Sequence, residues 1–445
     1  MKFRICVLML SLLATLMSSV SAKEYDVKSP DGQVRASFEL KKGALFYSVS
    51  RDGIAVVASS KVEIFEGAKM KVLDHSVREN DSSWEPVWGR FSTIRDHHHE
   101  LSLSLKADGI PVTLLCRVFD TGLGFRFVMS DESEGKEMTF LSNFNIDDDV
   151  LYYSPQGERE MAGPVVLDSI KQIKVPLMIA HSDGRATALM ESDLFTADGF
   201  ESMTILSDPD TKCPVSSSSA LSLGGGQKTP WRVLLLGDNM GEFLENTVVL
   251  NLAAPCQMAD VSWIKPGKGI WDWRIRGYNN GTFSYKLDAQ TLIHYIDFVA
   301  EQGFEWLNID AGWSKKQAEL EEVFVYAKEK GIKLMLYYDV RNSVFIEKEE
   351  LFAHYAGLGA KGIKHGIMRN DAALTRYAIK EAAENKLLIN FHDSPCPMAG
   401  AERTMPNLIT YEYCHAQQDG RRAFTPEEFI KMAMVNALVG PLDQA

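Results

Sequence analysis

The chain has 445 residues, 45% of them hydrophobic and 24% charged, a soluble globular composition too long for one simple core, so two domains are expected. Its formal charge of −13 excludes the basic footprint that nucleic-acid binding needs and suits a neutral or cationic partner, including a hard metal ion. After removal of the leader described below, Cys116, Cys213, Cys256, Cys396 and Cys414 remain. They are odd in number and irregularly spaced, which excludes a disulfide framework or a zinc site. Cys396 and Cys414 follow neighbouring strand ends and can pair, but free buried thiols are the favoured reading.

Residues 1–22 stand apart. Lys2 and Arg4 precede the apolar run Ile5–Ala14, and Val20-Ser21-Ala22 presents small residues where a signal peptidase reads. The apolar core is short for a membrane span. A cleaved secretory signal is expected, releasing a soluble, periplasmic, monomeric protein with no membrane partner.

From residue 23 to 255 the texture is short alternating runs such as Val34–Leu40, Leu101–Leu105 and Gly122–Val128, which read as an antiparallel β-sandwich. Ser216–Gly226 reads as a flexible loop or hairpin tip before the strand-like Trp231–Leu236. From 256 to 445 strands alternate with helices. Strand candidates are Gly269–Ile275, Trp306–Asp310, Ile332–Asp339, Gly362–Met368, Leu387–Asp393, Leu408–Cys414 and Ala437–Asp443. Helical patterns fall at Ala289–Gln302, Gln317–Lys330, Ala372–Lys386 and Pro426–Ala437. This spacing implies parallel βαβ units. The predicted fold is an N-terminal antiparallel β-sandwich followed by a (β/α)8-type barrel one strand short of closure, with a fragment or truncated reading frame favoured.

The organising stretch is Leu387–Cys414. Two apolar runs end abruptly, one in His392-Asp393 and the other in Glu412. Strands buried on both faces read as continuous apolar runs, and residues at their C-terminal ends form the active site of a barrel. The other exits give Asp310, Asp339, Lys364 and Asp443. A single Asp at a strand end is as readily a helix cap, but five such exits point to one mouth. Converging carboxylates suit glycosidic hydrolysis, in which one donates a proton and the other activates water or attacks. They also suit calcium, which takes six to eight oxygen ligands. Trp271, Trp273, Trp306, Trp313, Tyr337, Tyr338 and Tyr411 are candidate sugar platforms around that mouth.

Six blocks in order resemble glycoside hydrolase family 97: Ser83–Gly89 (SWEPVWG), Thr229–Val233 (TPWRV), Trp263–Lys268 (WIKPGK), Ile309–Trp313 (IDAGW), Arg403–Asn407 (RTMPN) and Gly440–Asp443 (GPLD). The resemblance implies a β-sandwich, a barrel and a C-terminal sandwich, the last absent here. It also implies calcium-dependent α-glucosidase or α-galactosidase activity on an oligosaccharide or α-glycoside. The implied calcium ligands are Glu191, reaching across the domain interface, with Asp393, Glu412 and Gln418. Asp393 and Asp339 match the two bases of inverting members, each shortened from Glu. Lys364, His392, Asp310 and Trp313 are the expected substrate contacts. Retaining members carry an Asp nucleophile two residues beyond the lysine, where this chain has Gly366, so inversion is the implied course.

The general-acid position matches Gln418, which has no proton to give. Adjacent Asp419 serves if the loop shifts by one residue. Losing general-acid catalysis costs about 10²–10⁴-fold. The rival reading is therefore a catalytically impaired carbohydrate-binding relative that keeps the sugar and calcium site. A barrel aldolase using Lys364 as Schiff base is weaker, because nearby carboxylates hold that lysine charged.

Overall fold

The computed structural model describes residues 23–133, 135, 137–146, 149–157, 161–166, 172–208, 214–220, 225–339, 350–392, 395–414 and 425–444. Within 23–255 the alternating runs form two antiparallel sheets, one of eight strands and one of nine. Period two decides what is buried: Val34, Ala36 and Phe38 of Val34–Lys41 are fully buried, as are Leu101 and Leu103 of Ile94–Ala107. Phe38, Tyr47, Phe125 and Phe140 meet between the sheets with ring centroids 4.9–6.3 Å apart, mostly edge-on or tilted.

The first part of the serine-rich segment, expected as a flexible loop or hairpin tip, is strand. Pro214–Ala220 is a strand paired with both Thr204–Ser207 and Met138–Asn143. Ser216 is fully buried, and its Oγ donates to Ser142 O at 3.3 Å. Ser216 satisfies its hydroxyl on a neighbouring backbone and so tolerates burial that its polarity argues against.

The second half is a parallel sheet whose seven strands pair in chain order: Gly269–Trp271, Trp306–Ile309, Lys333–Asp339, Gly362–Gly366, Leu388–Phe391, Leu408–Cys414 and Leu442–Gln444. They are called the first to seventh strands below. Among the described residues the first and seventh are the edges of this curled, barrel-type sheet.

The connecting helices start where side chains satisfy the free N–H groups. Asp288 caps Ala289–Glu301 through Thr291 N, and Asp371 caps Ala372–Glu384 through Leu374 N. Thr425 and Glu428 form a capping box before Pro426–Asn436. Three expected boundaries move. The first strand stops at Trp271, because Asp272 bonds Arg276 and the Asp310 N–H and draws Asp272–Ile275 into a 3-10 turn. Glu321–Lys330 is α-helical only after a 3-10 stretch, Trp313–Leu320. Ala437–Val439 is likewise a 3-10 turn, so the seventh strand starts at Leu442.

Side chains of the parallel half grip backbone carbonyls of the sandwich half. Buried Arg376 donates to Leu194 O, Ala197 O and Phe200 O at 2.5–3.0 Å. Arg403 donates to Leu250 O and Ala253 O while its guanidinium lies 4.2 Å from the Trp84 ring. Trp88 Nε1 reaches Pro406 O at 2.6 Å. Trp84 and Trp88 of the WEPVWG block thus line the domain seam. Cys116 and Cys396 are buried free thiols and Cys256 is exposed and free.

Candidate active site

Alternation along each parallel strand sends every second side chain inside the curl. Those positions are Trp306, Asn308 and Asp310 on the second strand, and Met335, Tyr337 and Asp339 on the third. On the fourth and fifth they are Gly362, Lys364 and Gly366, and Leu388, Asn390 and the following His392. The N-terminal end is closed by Trp306, Met335, Leu388 and Ile264 packed together. Polarity then rises along the strands toward their C-terminal ends.

Lys364 stands at the centre of that polar layer. Its side chain is fully buried, with Nζ 3.0 Å from Glu412 Oε2, 3.6 Å from Asp310 Oδ2 and 4.0 Å from the Trp271 ring centroid. Burial by itself pushes the ammonium toward its neutral form, yet the charges of Glu412, Asp310 and Asp443 win, and its pKa stands above the ordinary lysine value. Glu412 answers in kind. Burial favours its protonated form, but the His392 Nδ1 contact and the Lys364 charge hold its carboxyl below the usual range. The flanking carboxylates thus favour the charged lysine, which argues against a Schiff-base role.

Two further carboxylates complete the cluster. Asp310 Oδ2 accepts from Trp271 Nε1 at 2.6 Å, and Asp310 N donates to Asp272 Oδ1 at 2.8 Å. Asn390 Nδ2 donates both to Thr410 Oγ1 at 2.6 Å and to Asp443 Oδ2 at 2.9 Å, tying the fifth, sixth and seventh strands together. Burial raises the pKa of Asp443, the Glu412 charge adds to this, and Lys364 only partly offsets it. Glu412 and Asp443 thus lie on opposite sides of the ordinary carboxylate range within one buried group. His392 is more open than Lys364, Asp310 or Glu412, its side chain 20% exposed.

Of the residues expected from the sequence, Asp310, Lys364, His392 and Glu412 are brought together. Asp339 is buried at the end of the third strand, in register with Gly366. Asp393, Gln418 and Asp419 lie outside the described residues. Trp313 is corrected: Gly312 takes a left-handed turn (φ 94°) that carries its ring behind the sheet. There it is 1% exposed, edge-on to Tyr355 and Phe324, with Nε1 donating to Tyr337 O at 2.8 Å. It cannot stack on a sugar. Trp306, Tyr338 and Tyr411 are likewise packing residues, Tyr338 against His365 and Tyr411 against Phe391. Trp271 and Tyr337 are the expected aromatics that border the charged cluster.

Glu191, expected to reach across the domain interface, lies within electrostatic reach of Cys396 and Arg376 of the parallel half. Its two oxygens accept from Arg232 Nη1 at 2.8 Å and Met203 N at 2.6 Å. Burial raises its pKa and Arg232 counters this, while the same burial pulls the Arg232 guanidinium down to about 10. The two described members of the expected calcium set, Glu191 and Glu412, are therefore each neutralised by a side-chain cation. Among the described residues no three His, Cys, Asp or Glu side chains gather as a metal site; Asp393 and Gln418 of the expected set lie outside those residues.

Sequence reasoning assigned no role to Asn390 and Asp272, and expected Tyr337 only as a sugar platform and Asp443 only as one of the strand-exit carboxylates. Their signal was position: each sits at or near a strand exit, and Asn390 interrupts an otherwise apolar run.

The model described as Glycosyl-hydrolase 97 N-terminal matches residues 27–255, and that described as Glycoside hydrolase 97 matches residues 271–414. A retaining alpha-galactosidase of Bacteroides thetaiotaomicron is 23% identical over 509 residues, covering 98% of this chain and 74% of its own. A family 97 enzyme of Pseudoalteromonas sp. strain K8, solved in complex with acarbose, has a TM-score of 0.80 at 21% identity, covering 94% of this chain and 74% of its own. A variant of that enzyme in complex with panose gives the same TM-score at 22% identity and the same coverage. The chain belongs to glycoside hydrolase family 97 and is a glycoside-hydrolysing enzyme.

Proposed function

We propose that this protein is an exo-acting α-glycosidase of the α-glucosidase or α-galactosidase type that works by inversion. The observation that carries the reading is the buried Lys364 held between Glu412 and Asp310, beside His392, at the C-terminal edge of the parallel sheet. A charged lysine flanked by carboxylates and an imidazole is a set of hydrogen-bonding groups suited to the hydroxyls of one terminal sugar.

Asp393 and Asp339 orient the attacking water and take its proton. As the new bond to the anomeric carbon forms, the glycosidic carbon–oxygen bond breaks and Asp419 gives a proton to the leaving oxygen. Gln418 cannot fill that role. Gly366 supports inversion: it presents no carboxylate, and the space beside it is already taken by Tyr337 and His392. The relative named as retaining is 23% identical, a distance at which the reaction course is free to differ.

Calcium is the proposed cofactor, through Glu412, Asp393 and Gln418 with Glu191, and would supply positive charge near the sugar. Arg232 and Lys364 already neutralise two of these groups, so no step here depends on the ion. The proposed setting is the periplasm after removal of residues 1–22, as a monomer. No helix among the described residues is long and apolar enough to cross a membrane.

The test is hydrolysis of aryl α-glycosides and natural disaccharides, with and without calcium, following the product anomer by NMR. Release of the inverted anomer supports the reading. Release of the retained anomer defeats the Asp393 and Asp339 mechanism, and no turnover of any α-glycoside defeats the activity.

A further inference from the structure

The fourth strand ends in a glycine for a reason of space. Gly366 has an ordinary backbone, since it is not among the positive-φ residues. Yet a Cβ built on it would lie 2.9 Å from Tyr337 Oη, 3.0 Å from His392 Cδ2 and 3.2 Å from Tyr338 O. Real Cβ atoms do not approach a hydroxyl that closely, so the missing side chain is the seat of the Tyr337 phenol.

The rest of the surroundings hold the phenol in that seat. The Tyr337 carbonyl accepts from Trp313 Nε1 at 2.8 Å and from Tyr355 Oη at 3.1 Å, so its backbone is clamped from behind the sheet. Its ring is 5.4 Å from the His392 ring at an interplanar angle of 70°. In register it sits beside Lys364, and the next inward residue on its own strand is Asp339. The ring therefore lies against His392, on a strand paired with the Lys364 strand and in the same inward row as Asp339. Its hydroxyl takes ground that otherwise belongs to a side chain at position 366.

We propose that Tyr337 is a catalytic residue whose phenolic hydroxyl, seated over Gly366, hydrogen-bonds the reacting sugar unit. This rests on the glycosidase reading above and adds to it a group that the strand-exit pattern does not reveal. A phenol is suited to the position because it both donates and accepts. A rigid, carbonyl-clamped ring also presents that hydroxyl without first having to be ordered.

The experiment compares Tyr337→Phe, Gly366→Ala and the double variant with the parent. It reads kcat, KM and thermal midpoint on an aryl α-glycoside, and the affinity for the free sugar product by titration calorimetry. Tyr337→Phe keeps the ring and its packing, so the midpoint should hold while kcat/KM falls tenfold to a hundredfold, on the order of one lost preorganised donor. Gly366→Ala should displace the hydroxyl and lower the rate. In the double variant the loss should be well below the product of the single losses, because the alanine has no hydroxyl left to displace. A Tyr337→Phe rate within twofold of the parent overturns the proposal, and so does strict multiplicativity of the two losses. If the parent itself does not turn over, the glycosidase reading fails separately. Sugar affinity then decides: a tenfold loss in Tyr337→Phe sustains the contact, and an unchanged affinity overturns it.

Discussion

Replacing Lys364 by Met tests the centre of the site. Methionine keeps most of the buried stem volume and removes the charge, leaving Glu412 and Asp310 without the ammonium that lies 3.0 and 3.6 Å away. Breaking a buried ion pair by removing one partner costs about 3–5 kcal/mol, because the remaining charge is uncompensated. Two carboxylates share this cation, and His392 remains on Glu412, so the expected loss lies within that range rather than above it.

The pH dependence follows from the direction of the Glu412 shift. Its folded pKa is lowered, so its stabilisation is present above the ordinary glutamate value and is lost as pH falls through the folded value. Without Lys364, burial dominates and the carboxyl destabilises the fold wherever it is forced to ionise. The deficit of Lys364→Met should be largest near neutral pH and shrink on acidification, as its carboxyls take up protons. Urea unfolding of parent and variant across that range measures it directly, and kcat/KM should fall at least a hundredfold, the order of a lost charged contact at a reacting centre. A variant as stable as the parent near neutral pH, or a deficit that grows on acidification, refutes the account of Lys364 as the charge-balancing group.

Three further outcomes are expected. Burial pushes the Glu402 carboxyl from its ordinary 4.5 up to about 7. Its stabilising contribution is thus full below the ordinary value and lost as pH rises toward about 7, by at most about 3 kcal/mol. Glu402→Gln should flatten that decline in thermal midpoint, and parallel profiles for parent and variant would count against it. Arg376→Ala leaves Leu194 O, Ala197 O and Phe200 O without their donor, a loss of about 2–5 kcal/mol that should separate the unfolding of the two halves in calorimetry. Chelation of calcium should lower both thermal midpoint and rate; if neither moves, the proposed ligands Glu412, Asp393, Gln418 and Glu191 do not hold the ion.

The chain itself determines the order of elements in both halves and the residues at the strand exits. Leu388–Phe391 is apolar on both faces because both faces are buried, so its run reads without ambiguity and its end marks the mouth. That logic finds Asp310, Lys364, His392 and Glu412. It fails for Ser216, whose polarity is answered by a carbonyl on a strand more than 70 residues earlier. It fails for Trp313, where one left-handed glycine decides which side of the sheet the ring joins. Nor does it reveal that Glu191 is paired with Arg232, which depends on two strands lying side by side. Only the tertiary structure decides that Lys364 faces two carboxylates at once, that Asn390 joins three strands, and that Gly366 is empty so that Tyr337 fits. Each of these depends on distances between segments remote in sequence, which local pattern and propensity do not encode.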